Sequence, residues 1–306
     1  MTASSELSGN TFTFKVNKLP LMMTTENPNS IGNPQVSTAL GRGGGCEALY
    51  GLFGYPLGHS FSRAFFSKKF AQEGINAEYI NFERPSAEEL LQVIAEHPYL
   101  RGLNVTLPHK QAVIPFLDEL SDEAQAIGAV NVIRITRESG TSKPYLKGFN
   151  SDVIGFVDSI RPLLQPHHRR ALVLGTGGAS KAICYGLTKL GIEWRYVSRK
   201  RPDKVLSGSV AERVFTYSDI TPSLLADYTV IVNCTPLGMF PNEDTAPTIP
   251  YAALSSRHLL YDLVYNPEVT AFMREGRRFG ATIKGGLEML HLQAIASWKF
   301  WNEQDT

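Results

Sequence analysis

A chain of 306 residues is long enough for about two domains, and its 43% hydrophobic content suits a packed globular protein. Thirty Lys+Arg against 29 Asp+Glu leave a formal charge of +1, so no basic field exists to hold nucleic acid or an anionic membrane. No apolar run approaches the roughly 20 residues of a membrane helix, and three scattered cysteines (Cys46, Cys184, Cys234) argue against a disulfide framework or zinc cluster.

Residues 1–46 are rich in Ser, Thr and Asn, keep no period and close on a glycine run, which predicts a disordered N-terminal extension. The apolar, glycine-bounded run 48–54 predicts a buried strand, and 62–73 a helix with Phe65, Phe66 and Phe70 on one face. A strand is expected at 78–82, a helix at 86–96 opened by a capping box of Ser86 and Glu89, and a strand at 102–106. This alternation is that of a parallel α/β sheet. A second α/β unit starts at 170–175, with strands at 194–197, 229–233 and 259–263; the two units join near 150–165. A last helix covers 286–302, and the pattern leaves its docking site open.

In the second unit, strand 170–175 runs into Gly175-Thr-Gly177-Gly178-Ala179-Ser180 and then a helix at 181–190. Glycine at 175 permits a tight turn. Glycines at 177 and 178 let backbone N–H groups approach a pyrophosphate at the helix N-terminus, the arrangement of a dinucleotide-binding domain. After the next strand the chain reads Ser198-Arg199-Lys200-Arg201, where an NAD-preferring protein usually carries Asp or Glu. Cationic groups there pair with a 2′-phosphate, so NADP is the expected cofactor.

Three polar groupings fall at strand ends of the first unit. Ser60 and Ser62, one residue apart, can both donate to one carboxylate, and Ser62 can also cap the helix. Asn104 and Thr106 share one side of a strand, and Pro108 turns the chain so that Lys110 returns towards them. A lysine at the end of a buried strand is a candidate acid or base, since partial desolvation destabilises an ammonium. Asn131 and Asp152 offer an amide and a carboxylate to hydroxyl groups, and Asp152 can hold Lys110. His59 and His109 flank these motifs as structural residues. No His, Cys or acid pair has metal-ligand spacing, so no metal site is expected.

Eight motifs in order, from Gly-His-Ser60-Phe-Ser62 to Gly285-Gly286-Leu-Glu-Met-Leu-His-Leu-Gln293, give the chain from about residue 49 onward a resemblance to the shikimate dehydrogenase family. The others are 104–110, 128–131, 148–152, 175–180, 233–238 and 262–267. The resemblance implies two α/β domains with the active-site cleft between them. The substrate-binding catalytic domain is 47–153 plus 285–306, the last helix folding back on it, and the NADP-binding Rossmann domain is 154–284. It implies NADPH-dependent, reversible reduction of 3-dehydroshikimate to shikimate in a cytoplasmic enzyme, monomeric or homodimeric. Ser60 and Ser62 would take the substrate carboxylate. Asn104, Thr106, Asn131, Asp152, Tyr265 and Gln293 would surround the ring, with Lys110 and Asp152 the catalytic pair. Gly175, Gly177, Gly178, Ala179, Ser180, Ser198, Arg199, Lys200, Thr235, Leu263 and Gly286 would contact the cofactor. Ser151, where the family commonly has threonine, Val132, likewise, and the neighbours of Arg199 depart from its pattern without removing a catalytic group. Two alternatives stay open: a mixed quinate/shikimate dehydrogenase, and a catalytically silent NADP(H)-binding sensor.

Overall fold

The computed structural model describes residues 46–58, 60–138, 140–141, 143–200 and 214–303; the predicted extension, His59 and Arg201 lie outside them, Cys46 excepted. Among the described residues the first half folds as β1 (Ala48–Gly54), α1 (Phe61–Glu73), β2 (Ala77–Glu83), α2 (Leu90–Glu96), β3 (Leu100–Val105), β4 (Glu119–Leu120), α3 (Asp122–Ile127), β5 (Val132–Thr136) and β6 (Tyr145–Phe149). These six strands form one sheet in the order β2-β1-β3-β5-β6-β4.

β2, β1 and β3 are parallel, as the alternation predicted. The sheet as a whole is mixed, which corrects the expectation of a parallel one: β5 runs antiparallel to both β3 and β6. The reason is the connections. Among the described residues no crossover helix separates β5 from β6, and a short link between adjacent strands forces them antiparallel. The consequence for the site is direct. Asn104 pairs in register with Val132 and the Val105 N–H donates to Asn131 O at 2.8 Å, so two asparagines meet at one end of the sheet.

α1 also starts one residue earlier than predicted. Ser60, not Ser62, is its cap, accepting from the Arg63 N–H at 3.2 Å. The capping box at Ser86 and Glu89 forms, but it opens a single 3-10 turn at 87–89 that leads into α2.

The second half continues with α4 (Asp152–Ile160), β7 (Arg170–Leu174), α5 (Gly178–Lys189), β8 (Glu193–Ser198), β9 (Val214–Thr216), α6 (Pro222–Asp227), β10 (Val230–Asn233), β11 (Leu259–Asp262), α7 (Ala271–Arg278), β12 (Thr282–Lys284) and α8 (Leu287–Asn302). All five strand pairings are parallel, in the order β12-β11-β10-β7-β8-β9. Counted from β7 this is the doubly wound order 3-2-1-4-5-6, whose crevice opens where the order reverses, between β7 and β10. Both faces of β7 are covered: Ala171 and Val173 enter one core cluster, Leu172 and Leu174 the other. That two-sided burial is why the strands read as unbroken apolar runs.

α8 leaves the second sheet and packs on the first. The Trp301 indole N–H donates to Ile133 O at 3.2 Å, and its ring lies 4.9 Å from Tyr50 and 5.1 Å from Phe66. Gly155 makes the close approach of α4 possible: a Cβ there would stand 2.5 Å from Met289 O and 3.1 Å from Gln293 N. Helix packing thereby brings Gln293 down into the first half.

Candidate active site

The polar side chains of the first half form one connected, buried network. Lys110 Nζ meets Asp152 Oδ2 at 2.5 Å, with both side chains almost out of solvent. The other carboxylate oxygen accepts from Asn131 Nδ2 at 2.8 Å, so Asp152 is held from two sides. An ammonium carries three donors, which leaves two on Lys110 for a bound molecule. A buried ion pair gains from Coulomb attraction only when its polar atoms are otherwise satisfied; the carboxylate has a partner on each oxygen, and the ammonium's remaining donors are open to a ligand.

Around this pair each amide has a fixed orientation. Asn131 Oδ1 accepts from the Ser151 N–H at 2.7 Å, which assigns Nδ2 as the donor to Asp152. Asn104 Oδ1 accepts from the Tyr79 hydroxyl at 2.9 Å while its Nδ2 donates to Ser297 Oγ at 2.9 Å. Tyr79 is fully buried, and burial pushes its hydroxyl far above the usual range, so it stays a donor; the Ser62 hydroxyl lies beside it. Ser151 Oγ lies 3.1 Å from Ser297 Oγ and 3.3 Å from Gln293 Oε1. Tyr79 and Ser297 were invisible to sequence reasoning because their partners lie 25 and 193 residues away. Thr106, half-buried just past the end of β3, borders the same region. His109 is buried against Phe53 and bonded to Arg84 O at 2.7 Å, a core histidine as expected.

Ser60 stands at the N-terminus of α1. Its oxygen accepts the capping bond, so its proton is free to donate outward where the helix dipole favours an anion. Tyr265, half-exposed after β11, approaches this point from the second half, its ring 6.3 Å from that of Phe61.

The second half offers a different kind of surface. β7 ends in Gly175 at φ +99°, a left-handed turn that suits glycine. Gly177 then opens α5 with no side-chain cap, and the first-turn Ser180 hydroxyl turns back to Gly177 O at 2.7 Å. The Ser180 N–H also bonds back to Gly177 O, at 3.1 Å, so the Gly178 and Ala179 N–H groups at the helix start are the donors that fit a pyrophosphate. Thr235 lies across the crevice, its N–H and hydroxyl both donating to Asn233 Oδ1 at 3.0 and 2.6 Å. Ser198 closes β8, and exposed Arg199 and Lys200 follow, Arg199 beside Tyr217. Leu263 and the buried Gly286 complete the crevice wall near the start of α8. Among the described residues no group of three His, Cys, Asp or Glu could hold a metal ion, and no helix is long and apolar enough to cross a membrane.

The two halves meet at the chemistry. A Cβ at Gly178 would lie 4.0 Å from Lys110 Cβ and 3.9 Å from Gln111 Nε2. Lys181 of α5 donates to Gln111 Oε1 at 2.8 Å. The glycine turn therefore abuts the lysine.

Comparison with known proteins agrees with this geometry. The family model for the shikimate dehydrogenase substrate binding domain matches residues 52–133. A shikimate dehydrogenase (NADP(+)) of Desulforamulus reducens is 35% identical over 270 residues, covering 84% of this chain and 90% of that protein. The crystal structure of shikimate 5-dehydrogenase from Thermus thermophilus in complex with NADP(H) and shikimate aligns with a TM-score of 0.70 at 31% identity, over 83% of this chain and 93% of that one. That of Listeria monocytogenes in complex with shikimate and NAD gives 0.73 at 25% identity, over 88% and 96%. Similarity of this extent leaves no doubt about kinship: the chain belongs to the shikimate dehydrogenase family.

Proposed function

We propose that this chain is an NADP-dependent shikimate dehydrogenase, which reversibly reduces 3-dehydroshikimate to shikimate. The observation that carries the reading is the Lys110–Asp152 pair at 2.5 Å, seated against the glycine turn that faces the pyrophosphate site. A silent sensor has no need of such a pair.

The substrate carboxylate is received by Ser60 and Ser62 at the N-terminus of α1, with Tyr265 alongside. Asn104, Thr106, Asn131, Asp152 and Gln293 meet the ring hydroxyls, each amide already oriented by its neighbours. The cofactor, when bound, supplies or accepts hydride at the face of the ring. Gly175, Gly177, Gly178, Ala179 and Ser180 hold its pyrophosphate; Ser198, Arg199 and Lys200 hold the 2′-phosphate; Thr235, Leu263 and Gly286 line its reactive end. On reduction Lys110 gives a proton to the carbonyl oxygen, and Asp152 keeps the ammonium aimed there; in the reverse direction Lys110 takes the proton from the hydroxyl. The packing of α8 on the first sheet supports a substrate domain of 47–153 plus 285–306 and a cofactor domain of 154–284. Only three cysteines, widely spaced along the chain, support a cytoplasmic enzyme.

The test is turnover of shikimate with NADP⁺, followed at the nicotinamide absorbance, with quinate and NAD⁺ run beside it. Rapid reduction of NADP⁺ by shikimate is expected. Folded protein that turns over none of the four combinations would refute the reading.

A further inference from the structure

Asp262 is fully buried at the end of β11, and its carboxylate gathers three separate segments. Oδ1 accepts from Asn233 Nδ2 at 2.9 Å and from the Val264 N–H at 3.0 Å; Oδ2 accepts from the Thr270 hydroxyl at 2.6 Å. Each of these leads to the crevice or braces it. Asn233, pinned through its Nδ2, offers Oδ1 to the N–H and hydroxyl of Thr235. Val264 lies between Leu263 and Tyr265, and its carbonyl accepts from the Gly286 N–H at 3.2 Å. Thr270 caps α7, accepting from the Met273 N–H at 3.3 Å. A carboxylate is the one side chain able to take all three bonds as acceptor.

We propose that Asp262 is a positioning residue of the cofactor site, holding Thr235 on one wall and Leu263 to Tyr265 on the other where the cofactor needs them, and that proton uptake by its carboxylate loosens both. This rests on the NADP reading given above. Protonation converts three charge-assisted bonds into neutral ones of roughly half the strength. The group is poised for that change: burial raises its pKa to about 6, against the lowering effect of the Thr270, Val264 and Asn233 bonds. The titratable groups facing it do not supply a countercharge. Cys234 at the end of β10 and Tyr251 in the turn at 251–253 are both pushed upward, first by burial and further by Asp262 itself. Glu275 of α7 acts on Tyr251, and Lys284 of β12 is taken up by Glu288 of α8.

NADP⁺ binding to the substrate-free protein, measured by calorimetry from pH 5 to 8, tests this on wild type, Asp262→Asn and Thr270→Val. The asparagine can accept at Oδ1 and turn its amide to Thr270, so it imitates the protonated carboxyl. It should bind NADP⁺ about tenfold more weakly than wild type at pH 8 and match wild type at pH 5. Thr270→Val removes a bond that favours the carboxylate, so its loss of affinity should begin about one pH unit higher than in wild type. Titration of the 2′-phosphate is common to all three proteins, so the differences between curves belong to the chain. Amide hydrogen exchange on the cofactor-free protein supplies a second readout: protection at Thr235 and Val264 should fall as pH drops through about 6 in wild type and stay low in Asp262→Asn. A Thr270→Val curve superimposed on wild type would overturn the proposal. So would an Asp262→Asn protein that melts earlier yet keeps wild-type affinity at pH 8. Wild type that binds no NADP⁺ at pH 8 would overturn the cofactor reading and this one with it, whatever the exchange data report of Asp262.

Discussion

The two halves of the molecule prepare for their ligands in opposite ways. In the first, almost every polar atom at the site already has a partner: Tyr79, Asn104, Ser297, Ser151, Asn131, Asp152 and Lys110 form an unbroken line of contacts. In the second, the donors are backbone groups left open at the start of α5, and the cations Arg199 and Lys200 stand in solvent. A ring bearing several hydroxyls demands donors and acceptors at fixed places, and a buried, satisfied network supplies that rigidity. A phosphate asks only for N–H groups and positive charge, which a turn and two exposed side chains provide. One side of the cleft is thus specific through preorganisation, and the other through charge and backbone.

That contrast predicts where substitutions hurt most. Lys110→Ala removes the single group placed to move a proton, and kcat should fall about 10²–10⁴-fold, the usual range for acid–base residues. Asp152→Asn keeps the shape but not the charge that holds Lys110, and should also lower kcat, by a smaller factor. Steady-state rates with shikimate and NADP⁺ decide. A Lys110→Ala enzyme with near-normal kcat would remove the lysine from the chemistry.

Ser297→Ala probes the network away from the reacting atoms. It leaves Asn104 Nδ2 with only the 3.4 Å contact to Asn131 O. An amide left poorly partnered in a buried site costs about 1–3 kcal/mol. The melting temperature should drop, and KM for shikimate should rise several-fold while KM for NADP⁺ stays put. Equal changes in both KM values would mean that the two halves are not independent in the way their contacts suggest.

Arg199→Asp addresses the other half. NADP⁺ affinity should fall by about 10–100-fold, as expected for loss of one or two charge-assisted bonds, with NAD⁺ affected less than twofold. Binding titrations of both nucleotides on one preparation would show it. Parallel losses would remove Arg199 from the 2′-phosphate.

The same contrast governs what the sequence could tell. The parallel strands were legible because two-sided burial writes them as short apolar runs, and the glycine turn because its function lies in the backbone of consecutive residues. β9 and β12, three residues each, sit at the edges of their sheet and carry too little pattern to be seen. The β5–β6 pair is absent from the predicted strands: Asn131 and Asp152 are expected at strand ends, but 132–136 and 145–149 are interrupted by Arg134 and Lys147 and do not read as apolar runs. Lys110 and Asp152 could be suspected of meeting; that Asn104 is turned by Tyr79 and Ser297 could not, because it depends on where α8 lands. The landing site came from family resemblance alone. No period in 286–302 distinguishes a helix docked on its own sheet from one docked on the other.

The smallest expected effect lies far from the cleft, at the opposite ends of the second sheet's strands. His168 is buried there, its Nδ1 accepting from the Gln165 N–H at 3.0 Å and its Nε2 donating to Arg257 O at 3.1 Å. The Gln165 bond requires an unprotonated Nδ1; burial lowers the ring's pKa in the folded chain, outweighing the Arg257 O bond, which favours the charged form. An unfolded histidine titrates near 6.5. Above that value neither state holds the proton and stability is at its full level. Below it the unfolded chain takes up a proton that the folded chain refuses, so stability falls with pH until the folded ring titrates as well. Asp262, raised instead of lowered, works in the opposite sense between about pH 4 and 6, so the histidine is read as a difference between proteins. Asparagine at 168 can accept the Gln165 N–H without titrating. Melting curves of wild type and His168→Asn from pH 8 to 5 should therefore converge as the pH drops below 6.5, with no change in KM for either ligand. Curves that run parallel over that range would show that the ring's charge state does not contribute to stability.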